Sequence, residues 1–156
     1  LRVADRVTAA HSDVRFVSVG QGPLLDDIRA QAAEAGLGDR VQLLGHQPDA
    51  PSVMAGFDVF AMASHWEGLP VAFMEARALG LPVVTTAVGG LVDHITDGED
   101  GLLVEPGNDD ALVAALERVV TDAGLRARLG AASEARADSF DAEAAVARVE
   151  QRYERS

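Results

Sequence analysis

Apolar residues run along this chain in short unbroken blocks, each closed by a turn former. Between the blocks they recur every three or four positions. Residues 14–20, "VRFVSVG", form the first block, ending in Gly. "PLLDDIRAQAAEAG" follows with helical spacing; Pro23 suits a first helical turn and Gly36 a C-terminal cap. Further strands are predicted at residues 40–45, 57–64, 81–86 and 101–105, and helices at about 50–55, 70–79 and 90–95. The strand blocks are continuous rather than alternating, the mark of a sheet covered on both faces. Strand alternating with helix predicts an α/β fold with a doubly wound, mostly parallel, Rossmann-like sheet of about five strands.

The last third reads differently. Residues 108–122, 124–138 and 139–156 each carry helical periodicity, so a helical C-terminal tail is expected. Asn108 and Ser139 are candidate N-caps, each followed by acidic residues. No internal repeat or linker interrupts the pattern, and one domain over residues 1–156 is the economical reading.

Composition narrows the chemistry. Hydrophobic residues make up 48% of the 156, enough for a packed core. No apolar run reaches the ~18 residues of a membrane span, and the first residues lack a signal-peptide pattern. The missing initiator Met fits a processed chain or a piece of a longer one. There are no cysteines, and a cytoplasmic home fits that usage. The net charge of −12 argues against nucleic acid as a partner. All 13 basic residues are Arg, so no Lys-dependent step can be performed by this chain alone. The four histidines are scattered, which makes a metal site improbable. "GQGPLL" starts like a dinucleotide loop but lacks the third glycine, and a plain strand-to-helix turn explains it equally well.

"HWEGLPVAFMEARALGLPVVTT" (residues 65–86) carries more. It sets Glu67 and Glu75 in a mostly apolar stretch, where an unpaired charge is costly. Pro70 opens the helix there, so the amides of Gly68, Leu69 and Val71 lie at its N-terminus, a natural seat for a phosphate or diphosphate. Gly68 leaves room for close approach. Helical spacing puts Val71, Met74, Glu75 and Ala78 on one stripe, which places Glu75 on a side shared with core residues. Two carboxylates then flank the anion seat. Like charges repel, so neither binds the phosphate itself, but each can accept hydrogen bonds from sugar hydroxyls. A diphosphate with a diol at either end is a nucleotide sugar. Two blander readings stay open: Glu67 as a solvated loop residue, and Glu75 paired with an Arg on a neighbouring element.

Taken together, Glu67 and Glu75 with seven residues between them, Ala76, Gly80, Pro82, Gly89, Gly90 and "DGEDGLLVEPGN" resemble the C-terminal, donor-binding half of retaining GT-B glycosyltransferases of the group 1 (family 4) type. "VRFVSVGQGPLLDDI" and "RVQLLGHQPD" match upstream in order and spacing. The resemblance implies that Glu75 holds the ribose diol and that Glu67, the catalytic candidate, contacts sugar hydroxyls. It implies that Gly68 and Leu69 amides meet the diphosphate, and that Gly45, His46 and Gln47 lie near the base. No metal is required by the motif, and no cofactor is expected.

Asp93 stands where the family commonly has Glu, a position expected to be structural. The larger departure is at the start. The chain opens in what resembles the helix after the family's first strand and its Arg- and Lys-bearing loop. That strand normally runs mid-sheet, between those matching "VRFVSV" and "FDVFAMA". The N-terminal acceptor domain is also missing. The expectation is therefore the donor half of a two-domain enzyme moving a hexose from a nucleoside diphosphate sugar to an acceptor, with little activity alone. A homodimer through exposed sheet edges is expected as one way to cover the gap. The alternative is a stand-alone nucleotide or nucleotide-sugar binding module. A sugar epimerase or phosphorylase of the same fold fits the Glu spacing less well.

Overall fold

A computed structural model describes residues 1–137. The chain opens in helix α1 (Arg2–Ala10) and then alternates: β1 (Phe16–Val19), α2 (Leu25–Glu34), β2 (Val41–Gly45), α3 (Ala50–Met54), β3 (Phe60–Met62), α4 (Val71–Ala78), β4 (Val83–Thr86), α5 (Leu91–His94) and β5 (Leu102–Val104). Helices α6 (Asp109–Thr121) and α7 (Ala123–Glu134) follow. The predicted order of elements is thus observed, with tighter bounds. The block at 57–64 contributes only three strand residues, because β4 pairs it from Phe60 to Met62 alone. Phe57 instead donates its N–H to Met54 O at the end of α3.

Several ends follow the predicted chemistry. Gly36 closes α2, with Leu37 N–H reaching back to Ala32 O at 2.8 Å. Asn108 caps α6 by accepting Ala111 N–H at 2.9 Å, and Asp122 caps α7 through Leu125 N–H. Asp49 caps α3, accepting from both the N–H and the hydroxyl of Ser52. The Ser52 hydroxyl, then its N–H, hold the Asp49 carboxyl below its ordinary range. The predicted cap at Ser139 and the helix after it lie outside the described residues.

β4 shows why the apolar blocks do not alternate. All four of its residues are buried, and neighbours face opposite sides of the sheet. Val84 packs with Leu112, Leu116, Val119 and Leu129 beneath α6 and α7. Val83 packs with Phe73, Leu91 and Ile95 beneath α4 and α5. Helices therefore cover both faces, as a doubly wound sheet requires. Among the described residues no helix is long and apolar enough to cross a membrane.

The five parallel strands form two ladders. β1 pairs with β2, and β4 lies between β3 and β5. Among the described residues nothing hydrogen-bonds β1 to β3, and their facing edges border a cleft of about 890 Å³. Phe16, Val17, Ser18 and Val19 line one wall; Phe60, Ala61 and Met62 line the other. The sheet has not closed over this gap.

Candidate functional site

The site begins where β3 ends. Ser64 leaves the strand with its carbonyl accepting the Thr86 hydroxyl at 2.6 Å, so the start of the loop is tied to β4. Glu67, half-buried, takes the Ser64 hydroxyl at 2.7 Å. It is thus held within the loop rather than freely solvated. Pro70 then caps α4 with φ −68° and ψ 133°, and its carbonyl accepts the N–H groups of Phe73 and Met74. Lacking an N–H and with its φ fixed, Pro suits this boundary.

The turn after β4 decides which way the loop's peptides face. Gly90 N–H donates to Gly68 O at 2.8 Å. Gly89, at φ +50°, lies so close beneath the loop that a Cβ there would sit 1.7 Å from Glu67 O. Both carbonyls therefore point into the Gly89–Gly90 turn. In a trans peptide the N–H is opposed to the carbonyl, so Gly68 N–H and Leu69 N–H point away from it. Among the described residues no acceptor takes the N–H of Gly68, Leu69 or Val71. Gly68 is exposed, and the Val71 side chain is 62% exposed. Main-chain donors, a helix N-terminus and room above them make a seat for an anion.

Glu75 sits differently from the predicted stripe. The buried face of α4 is Phe73, Ala76 and Arg77, whereas Val71 and Ala78 are exposed. Packing, not helical spacing alone, chose the inward face. Glu75 is half-buried and lines the cleft, as do Ala72, Met62, Val19 and Leu43. It makes no ion pair or side-chain hydrogen bond among the described residues, so the reading of a Glu75–Arg pair is not observed.

The charge that α4 does bury is Arg77, fully enclosed. Its Nη2 donates to His94 O at 2.7 Å and to Asp100 Oδ2 at 3.0 Å, and its guanidinium lies 4.9 Å from the Phe73 ring centre. Asp100, 1% exposed, also takes Thr96 N–H at 2.7 Å and pairs with Arg136 at 2.9 Å. The far end of α4 is thereby pinned to the turn before β5. Among the described residues, buried Arg77 Nε and Nη1 find no hydrogen-bond partner.

On the other side of the cleft, Gly45 ends β2 with φ +73°, and its carbonyl accepts Gly20 N–H at 2.8 Å. His46 is exposed, and Gln47 Nε2 donates to Leu44 O at 3.1 Å. His46 and Gln47 do not line the cleft, although Leu43 does. The structure thus brings Glu67, Gly68, Leu69 and Val71 together at the mouth of α4, with Glu75 one turn inside. Gly45, His46 and Gln47 stay on the β2 side. Ser64 and Thr86, which fix the loop, carry no sequence signal beyond Ser64 standing three residues before Glu67.

Comparison with known proteins agrees with this architecture. Residues 1–136 match the family profile described as "Glycosyl transferases group 1". The chain is 38% identical over 149 residues to 2-deoxystreptamine glucosyltransferase of Streptomyces kanamyceticus, covering 94% of this chain and 38% of that protein. The solved C-terminal domain of a group 1 family protein (LpcC) from Francisella tularensis superposes with a TM-score of 0.79 at 25% identity, over 88% of this chain and 75% of that one. Alr3699/HepE of Anabaena, solved in complex with UDP, gives a TM-score of 0.87 at 24% identity over 99% of this chain and 45% of that one, a likeness of fold. The chain spans 29% to 38% of the length of the first curated relatives it matches.

Proposed function

The chain belongs to the group 1 glycosyltransferases, and from that premise we propose that it is the donor-binding part of a two-domain retaining enzyme. The intact protein would move a hexose from a nucleoside diphosphate sugar to an acceptor with retained configuration. The observation that carries this reading is the loop above α4: two outward-facing amides, Gly68 N–H and Leu69 N–H, that meet no acceptor among the described residues, with Val71 N–H behind them and Glu67 in the same loop. The amides cradle the diphosphate, Glu75 accepts the ribose diol, and Glu67 accepts hydroxyls of the transferred sugar at the reacting centre. Gly45, His46 and Gln47 approach the base. UDP as the nucleotide is supported by HepE having been solved with it, and a hexose by the glucosyltransferase relative.

Donors preset where negative charge develops on a leaving diphosphate stabilise that charge without reorganising. This chain supplies amides but no Lys, and its net charge is −12. Alone it is therefore expected to bind donor nucleotide yet transfer little. Robust turnover of UDP-glucose by the isolated chain would overturn that part of the proposal. The unpaired edges of β1 and β3 also favour self-association, in which a second copy covers the cleft. Light scattering after size-exclusion chromatography tests this, and a monomer at high concentration refutes it. A cytoplasmic location belongs to the same reading.

Calorimetric titration with UDP, GDP and ADP tests the binding claim directly. Glu75→Ala removes a charged acceptor from the ribose and should cost ~1.5–3 kcal/mol of nucleotide affinity. Equal affinity in the variant would remove Glu75 from the site.

A further inference from the structure

Trp66 stands in this loop, 83% exposed, more than any other large apolar residue among those described. Its neighbours are committed elsewhere. Glu67 folds back onto the Ser64 hydroxyl. The His65 imidazole turns toward the β5–α6 connection, where its Cε1 comes within 3.7 Å of the position a Cβ on Gly107 would take. No guanidinium lies over the Trp66 ring among the described residues. The loop beneath it is fastened by the Thr86–Ser64 and Gly90–Gly68 contacts. A loop fastened at two points thus presents an exposed indole one residue before the carboxylate assigned to sugar hydroxyls.

We propose that Trp66 is a stacking platform for a pyranose ring at this site, an inference that rests on the donor-binding reading above. A pyranose has apolar C–H faces and a rim of hydroxyls. An indole face makes dispersion contacts with the C–H face and attracts its slightly positive hydrogens, while an adjacent carboxylate takes the rim. Consecutive Cα atoms lie ~3.8 Å apart, so one sugar can touch both side chains. The order along the chain is consistent with this: the platform at Trp66, the hydroxyl acceptor at Glu67, then the phosphate donors at Gly68 and Leu69. The ring could be the hexose of the donor or that of a glycoside acceptor; the contact chemistry is the same.

Trp66 is the only tryptophan in the chain, so emission excited selectively in indole, beyond the absorption of the single Tyr, reports on this ring alone. UDP binding is first established by calorimetry. UDP, UDP-glucose, methyl α-D-glucopyranoside with saturating UDP, and sorbitol with saturating UDP are then titrated while emission is followed. A shift to shorter wavelength with UDP-glucose but not with UDP supports the platform and assigns it to the donor hexose. A shift with the methyl glucoside alone supports it and assigns the ring to the acceptor. No shift with either pyranose, or an equal shift with acyclic sorbitol, overturns the inference while leaving nucleotide binding intact. Failure of UDP to bind overturns the donor reading and this inference together. In calorimetry, Trp66→Ala should weaken whichever pyranose ligand shifted the emission by about threefold to tenfold. UDP affinity should be untouched, and Trp66→Phe should keep most of the sugar affinity. Equal weakening of UDP itself by Trp66→Ala would also overturn it.

Discussion

Gly89→Ala is the sharpest probe of how the loop above α4 is aimed. A methyl group at this position would lie 1.7 Å from Glu67 O and 3.1 Å from Gly68 O. Real Cβ contacts essentially never fall below 3.0 Å, so the Glu67 carbonyl must retreat by about 1.3 Å. Neighbouring peptides move with it, taking along the N–H groups of Gly68 and Leu69. A charge-assisted hydrogen bond is worth ~1.5–3 kcal/mol, and a displacement of this size disrupts at least one. UDP affinity should therefore fall on the order of tenfold to a hundredfold. The new side chain also carries a backbone penalty, because Gly89 has φ +50°; an Ala in that region costs ~1–2 kcal/mol. Gly98→Ala isolates this second part. Gly98 has φ +78°, but a methyl group added there would meet nothing within 4 Å, so it has strain without collision. Calorimetry with UDP and thermal unfolding on both variants separate the two effects. Both should melt earlier, and only Gly89→Ala should lose nucleotide. If Gly89→Ala binds UDP as tightly as Gly98→Ala, this contact does not hold the loop and its amides are aimed by something else.

Other outcomes follow from single contacts. Asp100→Ala leaves Arg77 buried without its counter-charge and should cost ~3–5 kcal/mol in urea unfolding. Adding Arg77→Met should recover a good part, and an equal loss in the double variant would show that the Thr96 N–H contact matters instead. Ser64→Ala frees the Glu67 carboxylate and should weaken UDP-glucose by ~1 kcal/mol more than UDP; parallel losses would detach Glu67 from the sugar. The lowered pKa of Asp49 makes its contribution to α3 complete above its ordinary value of 3.8 and lost as pH falls through the lowered one. Loss of Ser52 amide protection only at the lower pH, measured against its intrinsic exchange rate at each pH, checks the sign.

The elements legible in the sequence are those decided within a few residues. Strand blocks show because both faces of β4 are buried, and the ends of α2 and α6 show because Gly36 and Asn108 cap them locally. The mouth of α4 shows because Pro70 and Gly68 mark it. Contacts settled by distant partners do not show. Arg77 lies inward because Asp100, 23 residues on, and the His94 carbonyl meet it there. The stripe of Val71, Met74, Glu75 and Ala78 looks as inward by spacing as the true one. The separation of β1 from β3 is likewise non-local: neither strand's own residues announce it, and only the resemblance, whose mid-sheet strand has no match here, leads one to expect it. Trp66 carries no periodic signal, for its exposure depends on where His65 and Glu67 turn.

An anion seat made of peptide N–H groups has a consequence for how the protein tolerates change. No ordinary replacement at positions 68, 69 or 71 deletes the N–H groups proposed to hold the diphosphate; only proline does, by lacking the hydrogen. Alanine scanning across the loop would therefore pass over the seat in silence. The constraint is transferred to the residues underneath, where a single methyl group has nowhere to go. On that proposal the protein can drift at the surface facing its ligand while staying fixed one layer below.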